Sequence, residues 1–250
     1  MTRRFSCMRR NLRVALPLAA LVLLWELAAR SGWVSAYLLP GPLAVLATGA
    51  QLLQSGVLAA HAAASLARIG VGFLISCVAG IALAGAVARL RLVEDLTAAP
   101  LALTPLLVLW LGIGNATQIS IIVLASFFPV FLNALGGFRC VTAQDDELAR
   151  SLDLPRWAYV ACIAAPAAVP SLVTGVRLGF GYSWRALIAA ELIAAGSGLG
   201  YLILDAQELQ RTDVVMVGIL VIGLLGWAMG WAFQRAAAAL LGRRFPEVAA

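Results

Sequence analysis

Residues 96–138 read LTAAPLALTPLLVLWLGIGNATQISIIVLASFFPVFLNALGGF, and not one of them is charged. A bilayer core of ~30 Å is crossed by ~20 apolar residues in helix, so this stretch is too long for one crossing and about right for two. The small and polar patch Gly112-Ile113-Gly114-Asn115-Ala116-Thr117-Gln118 divides it and predicts a tight re-entry there. Pro100 and Pro105 place breaks or kinks in the first half and Pro129 in the second, which membrane helices tolerate.

Composition agrees with a bilayer environment. The 250 residues are 62% hydrophobic and 12% charged, with mean hydropathy +0.95. An ordinary soluble domain is about half apolar and about a quarter charged, so a soluble enzyme or a nucleic-acid binder is excluded. All 18 basic residues are Arg, set against 12 acids for a net charge of +6. Without Lys the chain cannot carry a Walker phosphate loop or a Schiff-base amine. Cys7, Cys77, Cys140 and Cys162 have no metal spacing, and His61 is the only His, so no catalytic, metal or cofactor site is expected.

Outward from the central stretch, further spans appear. Val14–Ala29 follows an Arg-rich start (Arg3, Arg4, Arg9, Arg10, Arg13) and is read as an uncleaved first span rather than a signal peptide. Leu39-Pro40-Gly41-Pro42 breaks the chain into an external loop with a short helix, and Val57–Ala88 forms the second span. His61, Ser65 and Arg68 fall on one face of it, either an interfacial face or one that touches a ligand or partner. Trp157–Val176 is charge-free but Ala-rich, with Pro166 and Pro170. The run from about Ser171 to Ala195 makes the better fifth span, and Val214–Gln234 the sixth. Six spans with both termini inside put most Arg residues in the cytoplasm and only Arg30, Arg68 and Arg211 outside, as the charge rule requires. The expected organisation is a basic cytoplasmic N-terminus (1–13), one transmembrane domain (14–244) and a short cytoplasmic tail (245–250).

Between Arg139 and Arg156 the chain must leave the membrane, because Asp145, Asp146, Glu147, Arg150 and Asp153 cluster there. The segment Asp145–Trp157, followed by an apolar helix ending near Ala165-Pro166, has the form of two short helices and a turn. Acids at the first helix start suit its dipole, and Asp153 can cap the second with Pro155 in its first turn. Such a projection suits docking on a soluble partner.

This segment resembles the cytoplasmic coupling loop of ABC importer permeases, whose pattern is Glu-Ala-Ala, three residues, Gly, then a spacer to Leu-Pro. Glu147, Ala149 and Pro166 match; Leu148 replaces an Ala, Ala165 replaces the Leu, and Asp153 stands where Gly is expected, a residue that takes a left-handed backbone more easily than Asp. Leu38-Leu39-Pro40-Gly41-Pro42, Leu109–Gly114, Phe127-Phe128-Pro129, Gly198–Ile203 and Arg211-Thr212-Asp213 extend the resemblance over nearly the whole chain, toward the nitrate, sulfonate and taurine branch.

The resemblance implies a fold of six transmembrane helices with a cytoplasmic helix-turn-helix coupling loop (about residues 139–170), in a bacterial inner membrane. It implies two permease copies, two ATPase subunits that bind the ATP, and an external solute-binding protein. Glu147, Ala149, Arg150, Ser151, Leu152, Asp153 and Pro166 would transmit motion from the ATPase. An oxyanion such as nitrate, an alkanesulfonate or taurine is expected as solute, with neutral or cationic metabolites still open, and the second copy is either identical or a relative.

Ionisable residues at membrane depth are costly and mark function by default. Arg177 lies close enough to the cytoplasmic end to snorkel, whereas Arg185 lies near mid-span and Glu191 six residues further, about 120° around the helix, so the two cannot pair. Arg185 and Glu191 are candidates for the translocation path or a subunit interface. A stand-alone secondary transporter would keep the spans but would not need the acidic loop, and no internal repeat is visible. An intramembrane hydrolase built on Gly196-Ser197-Gly198 lacks a nearby His.

Overall fold

A computed structural model of the chain describes residues 17, 20–31, 35, 37–88, 103–140, 149, 151, 153, 155–194 and 196–241. Every regular element among them is helical. In chain order they are α1 (20–30), α2 (Pro42–Gln54), α3 (Val57–Val87), α4 (Thr104–Leu111), α5 (Asn115–Arg139), α6 (Arg156–Tyr159), a π turn over Val160–Ala164, α7 (Ala165–Ala194), α8 (Leu199–Glu208) and α9 (Thr212–Leu241). Four stretches are long and apolar enough to cross a membrane: Val57–Val87, Asn115–Arg139, Ala161–Ile193 and Thr212–Ala239. These correspond to the second, fourth, fifth and sixth expected spans. Of the first expected span the structure describes α1 and of the third α4, each shorter than a crossing; residues 89–102 and Arg3, Arg4, Arg9, Arg10, Arg13, Arg243 and Arg244 lie outside the described residues.

The chain forms two compact units. One holds residues 1–61 and 202–221. Within it, Pro42 opens α2, where a missing N–H costs nothing, and Trp25 Nε1 donates to the Pro40 carbonyl at 3.1 Å, pinning the loop before the helix. Gly56 turns between α2 and α3 with φ 77°. Thr48 of α2 donates to Asp213 Oδ2 of α9 at 2.9 Å, and Arg211 lies 3.4 Å from the same oxygen. Val45, Ala206, Val214 and Val217 fill the interior around them.

The second unit holds residues 62–201 and 222–250 and is built around α5. Helices in hydrocarbon gain nothing from leaving the lipid; they associate where small residues let backbones close in. A Cβ added to Gly175 of α7 would sit 2.6 Å from Cβ of Asn133, and one on Gly179 would sit 2.6 Å from a methyl of Val130. The Gly175-xxx-Gly179 spacing is thus the seam between α7 and α5. On α3, Gly72, Ser76 and Gly80 repeat the spacing: Gly72 meets Ile122 and Gly80 meets Val130, while Ser76 is fully buried. Gly226 of α9 lies against the Trp184 indole, whereas Gly230, its partner in the second small-residue pair, faces open space. Ala84, Phe131, Ala134 and Leu135, and separately Ile69, Ile122 and Leu187, pack the interior.

Two departures from the sequence expectation concern the region after Asp153. No helix ends near Ala165-Pro166. Pro166 has no N–H to give the carbonyl of Cys162, and the ladder widens into the π turn there rather than stopping. Past it, α7 runs unbroken to Ala194, carrying Pro170 inside, whose carbonyl accepts from Thr174 Oγ1 at 3.0 Å. Pro155 precedes α6 instead of lying in its first turn, with its carbonyl taking the Tyr159 N–H at 3.0 Å. The re-entry falls as expected at 112–114: Gly112 ends α4 with φ 72°, and Thr117 Oγ1 donates back to the Gly112 carbonyl.

Candidate functional site

Of the expected coupling residues, Glu147, Arg150 and Leu152 lie outside the described residues. Ala149 is buried, Ser151 and Asp153 are exposed, and Pro166 sits in the first turn of α7. Asp153 has φ 47°, the left-handed backbone that Gly would take at this position of the loop pattern. A left-handed Asp carries a conformational cost that Gly at the same position would not.

Arg185 is exposed on α7, its guanidinium 5.8 Å from the centre of the Tyr182 ring, and Arg177 is exposed two turns earlier. Glu191 behaves differently. It finds a partner inside the chain, on α3. Only 1% of Glu191 and 6% of Arg68 is exposed, and Arg68 Nη1 lies 2.8 Å from Glu191 Oε1. A carboxylate and a guanidinium buried this far are tolerable only when their remaining hydrogen-bonding capacity is used.

It is used. Arg68 Nε donates to Oδ1 of Asn115, the first residue of α5, at 2.8 Å; Nη1 also reaches the Ser197 carbonyl at 2.8 Å, and Nη2 donates to Ser197 Oγ. Ser65 Oγ lies 2.7 and 2.9 Å from the two Glu191 oxygens, sharing its proton with them, and accepts the Leu199 N–H at 2.9 Å. The Gly200 N–H donates to Glu191 Oε2 at 2.9 Å, so the carboxylate also caps the start of α8, where the helix dipole favours a negative charge. Gly198 has φ 116°, and a Cβ there would collide with the Glu191 carboxyl and Arg68; one on Gly200 would sit 2.6 Å from Glu191 Cβ.

Ser65 and Arg68 are thus an internal clamp, not an interfacial face, and Asn115 serves the clamp as well as its turn. The pairing of Arg68 with Glu191 escaped sequence reasoning because the two are 123 residues apart. The signal was the Gly198-Leu199-Gly200 run, glycine where a buried carboxylate needs backbone N–H groups close by.

Helices alone among the described residues, four stretches apolar and long enough to cross a membrane, small-residue seams and a buried charge pair are the make-up of a multi-pass membrane protein. Residues 15–245 match the family of the binding-protein-dependent transport system inner membrane component, and the chain belongs to that family as a transport permease subunit. It is 36% identical over 217 residues to the putative aliphatic sulfonates transport permease protein SsuC of Bacillus subtilis, covering 83% of this chain and 79% of that one. The taurine transport system permease protein TauC of Escherichia coli is 35% identical, covering 85% and 82%. The nitrate import permease protein NrtB of Synechocystis is 30% identical, covering 86% and 84%.

Proposed function

We propose that this chain is the membrane-spanning half of an ATP-driven importer for a small oxyanion of the sulfonate, taurine or nitrate kind. The observation that carries the reading is kinship along nearly the whole chain to permeases named for those three solutes. In this reading six helices span the membrane with both termini in the cytoplasm, two copies enclose the path, and an external binding protein delivers the solute. ATP binds to separate ATPase subunits, which dock on Glu147, Ala149, Arg150, Ser151, Leu152 and Asp153, and Pro166 leads their motion into α7. Arg185 faces the path and attracts the anion. Arg at membrane depth and outside the chain's interior supports that placement, since lipid is a poor neighbour for it.

The test is to tag the chain in its native membrane, solubilise it gently and identify what co-purifies with the wild type but not with Glu147→Arg. An ATPase subunit that is lost in the variant, together with ATP-dependent uptake of taurine, an alkanesulfonate or nitrate, is the expected result. A chain that purifies alone and transports without ATP refutes the reading.

A further inference from the structure

The clamp around Glu191 joins elements distant in sequence: α3 through Ser65 and Arg68, α5 through Asn115, the end of α7 through Glu191, and the corner leading into α8 through Ser197, Leu199 and Gly200. The corner itself, Gly196-Ser197-Gly198-Leu199-Gly200, has three glycines in five residues and little conformational preference of its own. Its shape is imposed from α3. The Ser197 carbonyl and hydroxyl are held by Arg68, and the two amides that start α8 are held by Ser65 and Glu191.

Opening this arrangement would strand a guanidinium and a carboxylate at the end of a membrane-spanning helix, each stripped of several hydrogen bonds at once. The hydrogen bonds that satisfy each ion come from different elements at once, Asn115 and Ser197 for Arg68 and Ser65 and Gly200 for Glu191, so a shift of any one element breaks several of them. The glycine seams set Gly72 of α3 against Ile122 of α5, and Gly80 of α3 and Gly179 of α7 both against Val130, so sliding one helix past another would also drive Ile122 and Val130 into backbone.

We propose that the Arg68–Glu191 clamp is a fixed point of the transport cycle: it welds the corresponding ends of α3, α5 and α7 and the start of α8 into one block that moves without internal rearrangement, so gating takes place elsewhere. The clamp would then be a conformational device that confines motion, and the inference rests on the transport reading above.

The experiment uses the full chain assembled with its partner subunits in lipid nanodiscs, in a background with the native cysteines replaced. Spin labels go on Ala67 of α3 and Ile193 of α7, both exposed and outside the clamp. Pulsed electron resonance compares the nucleotide-free and ATP-trapped states. The expected result is one narrow distance distribution whose centre shifts by less than ~2 Å between states; a larger shift, or a second population in either state, overturns the proposal. ATP-driven uptake by the labelled assembly is measured separately, so a failure of the transport reading is distinguished from a failure of the clamp. Glu191→Gln, which keeps the side-chain shape but removes the charge, is expected to broaden the distribution and raise amide exchange at Leu199 and Gly200 at least tenfold. A Glu191→Gln distribution as narrow as the wild type's, with unchanged exchange, also overturns it. If that variant does not assemble, the two-state comparison in the wild-type sequence decides alone.

Discussion

Gly175→Ala adds a single methyl to the seam between α7 and α5. The new Cβ would start 2.6 Å from Cβ of Asn133 and 3.3 Å from the Pro129 carbonyl oxygen. Carbon atoms rest at about 3.5–4.0 Å, so the helices must part by roughly 1 Å along a seam whose other contacts, Gly179 on Val130 at 2.6 Å and Gly137 on the Ala168 carbonyl at 3.0 Å, leave no slack. Overpacking of this kind costs about 1–3 kcal/mol. At about 2–4 °C per kcal/mol for a chain of this size, the melting temperature falls by several degrees. Gly181→Ala, in the same helix but with nothing within 4 Å of the new methyl, is the matched control. There the substitution gains up to ~1 kcal/mol of helix propensity and has no clash to offset it. The assay is size-exclusion of fluorescently tagged, detergent-solubilised protein after graded heating. Opposite signs for the two variants are expected; equal shifts would show that Gly175 is no seam and that the α5–α7 packing argument is wrong.

Arg68→Ala, which leaves the Glu191 carboxylate buried without its cation, should destabilise the fold by about 3–5 kcal/mol, seen as a large drop in folded yield. The double variant Arg68→Met with Glu191→Leu should lose less than the sum of its parts; additive losses in a double-mutant cycle would deny the coupling. Asp153→Gly should raise thermal stability by up to ~1–2 kcal/mol by relieving the left-handed strain, with uptake retained, whereas Asp153→Val should lower both, and a Gly variant no more stable than wild type would contradict the strain. Arg185→Ala should leave melting unchanged, since its side chain is exposed, while raising the KM for anion uptake severalfold; unaltered uptake kinetics would remove Arg185 from the path.

How much of this was readable beforehand follows from what kind of information each feature needs. The bilayer demands length and apolarity, which are local, so the spans at Val57–Val87, Asn115–Arg139 and Thr212–Ala239 and the turn at 112–114 stand in the residues themselves. The extent of α7 was not readable, because Pro166 and Pro170 look like stops and only the structure shows a π turn absorbing the first. Gly175-xxx-Gly179 and Gly226-xxx-Gly230 look alike in sequence, yet only three of the four glycines meet a neighbour, since the partner surface decides. Glu191 shows the same limit more sharply: a lone acid at membrane depth announces that it has a partner, but the choice of Arg68 over water or another residue is settled by packing across the unit.

The π turn and the two prolines give α7 an uneven stiffness. Its first turns, up to Pro170, lack the N–H donors of Pro166 and Pro170 and bend more easily, while the stretch from Ser171 to Ala194 is a regular helix of about 36 Å at 1.5 Å per residue, laid along α5 by its glycines. Mechanically this is a beam with a soft root. A small sideways push at the root is taken up as bending within the first two turns, and only a push large enough to exhaust that slack reaches the far end, some seven turns away.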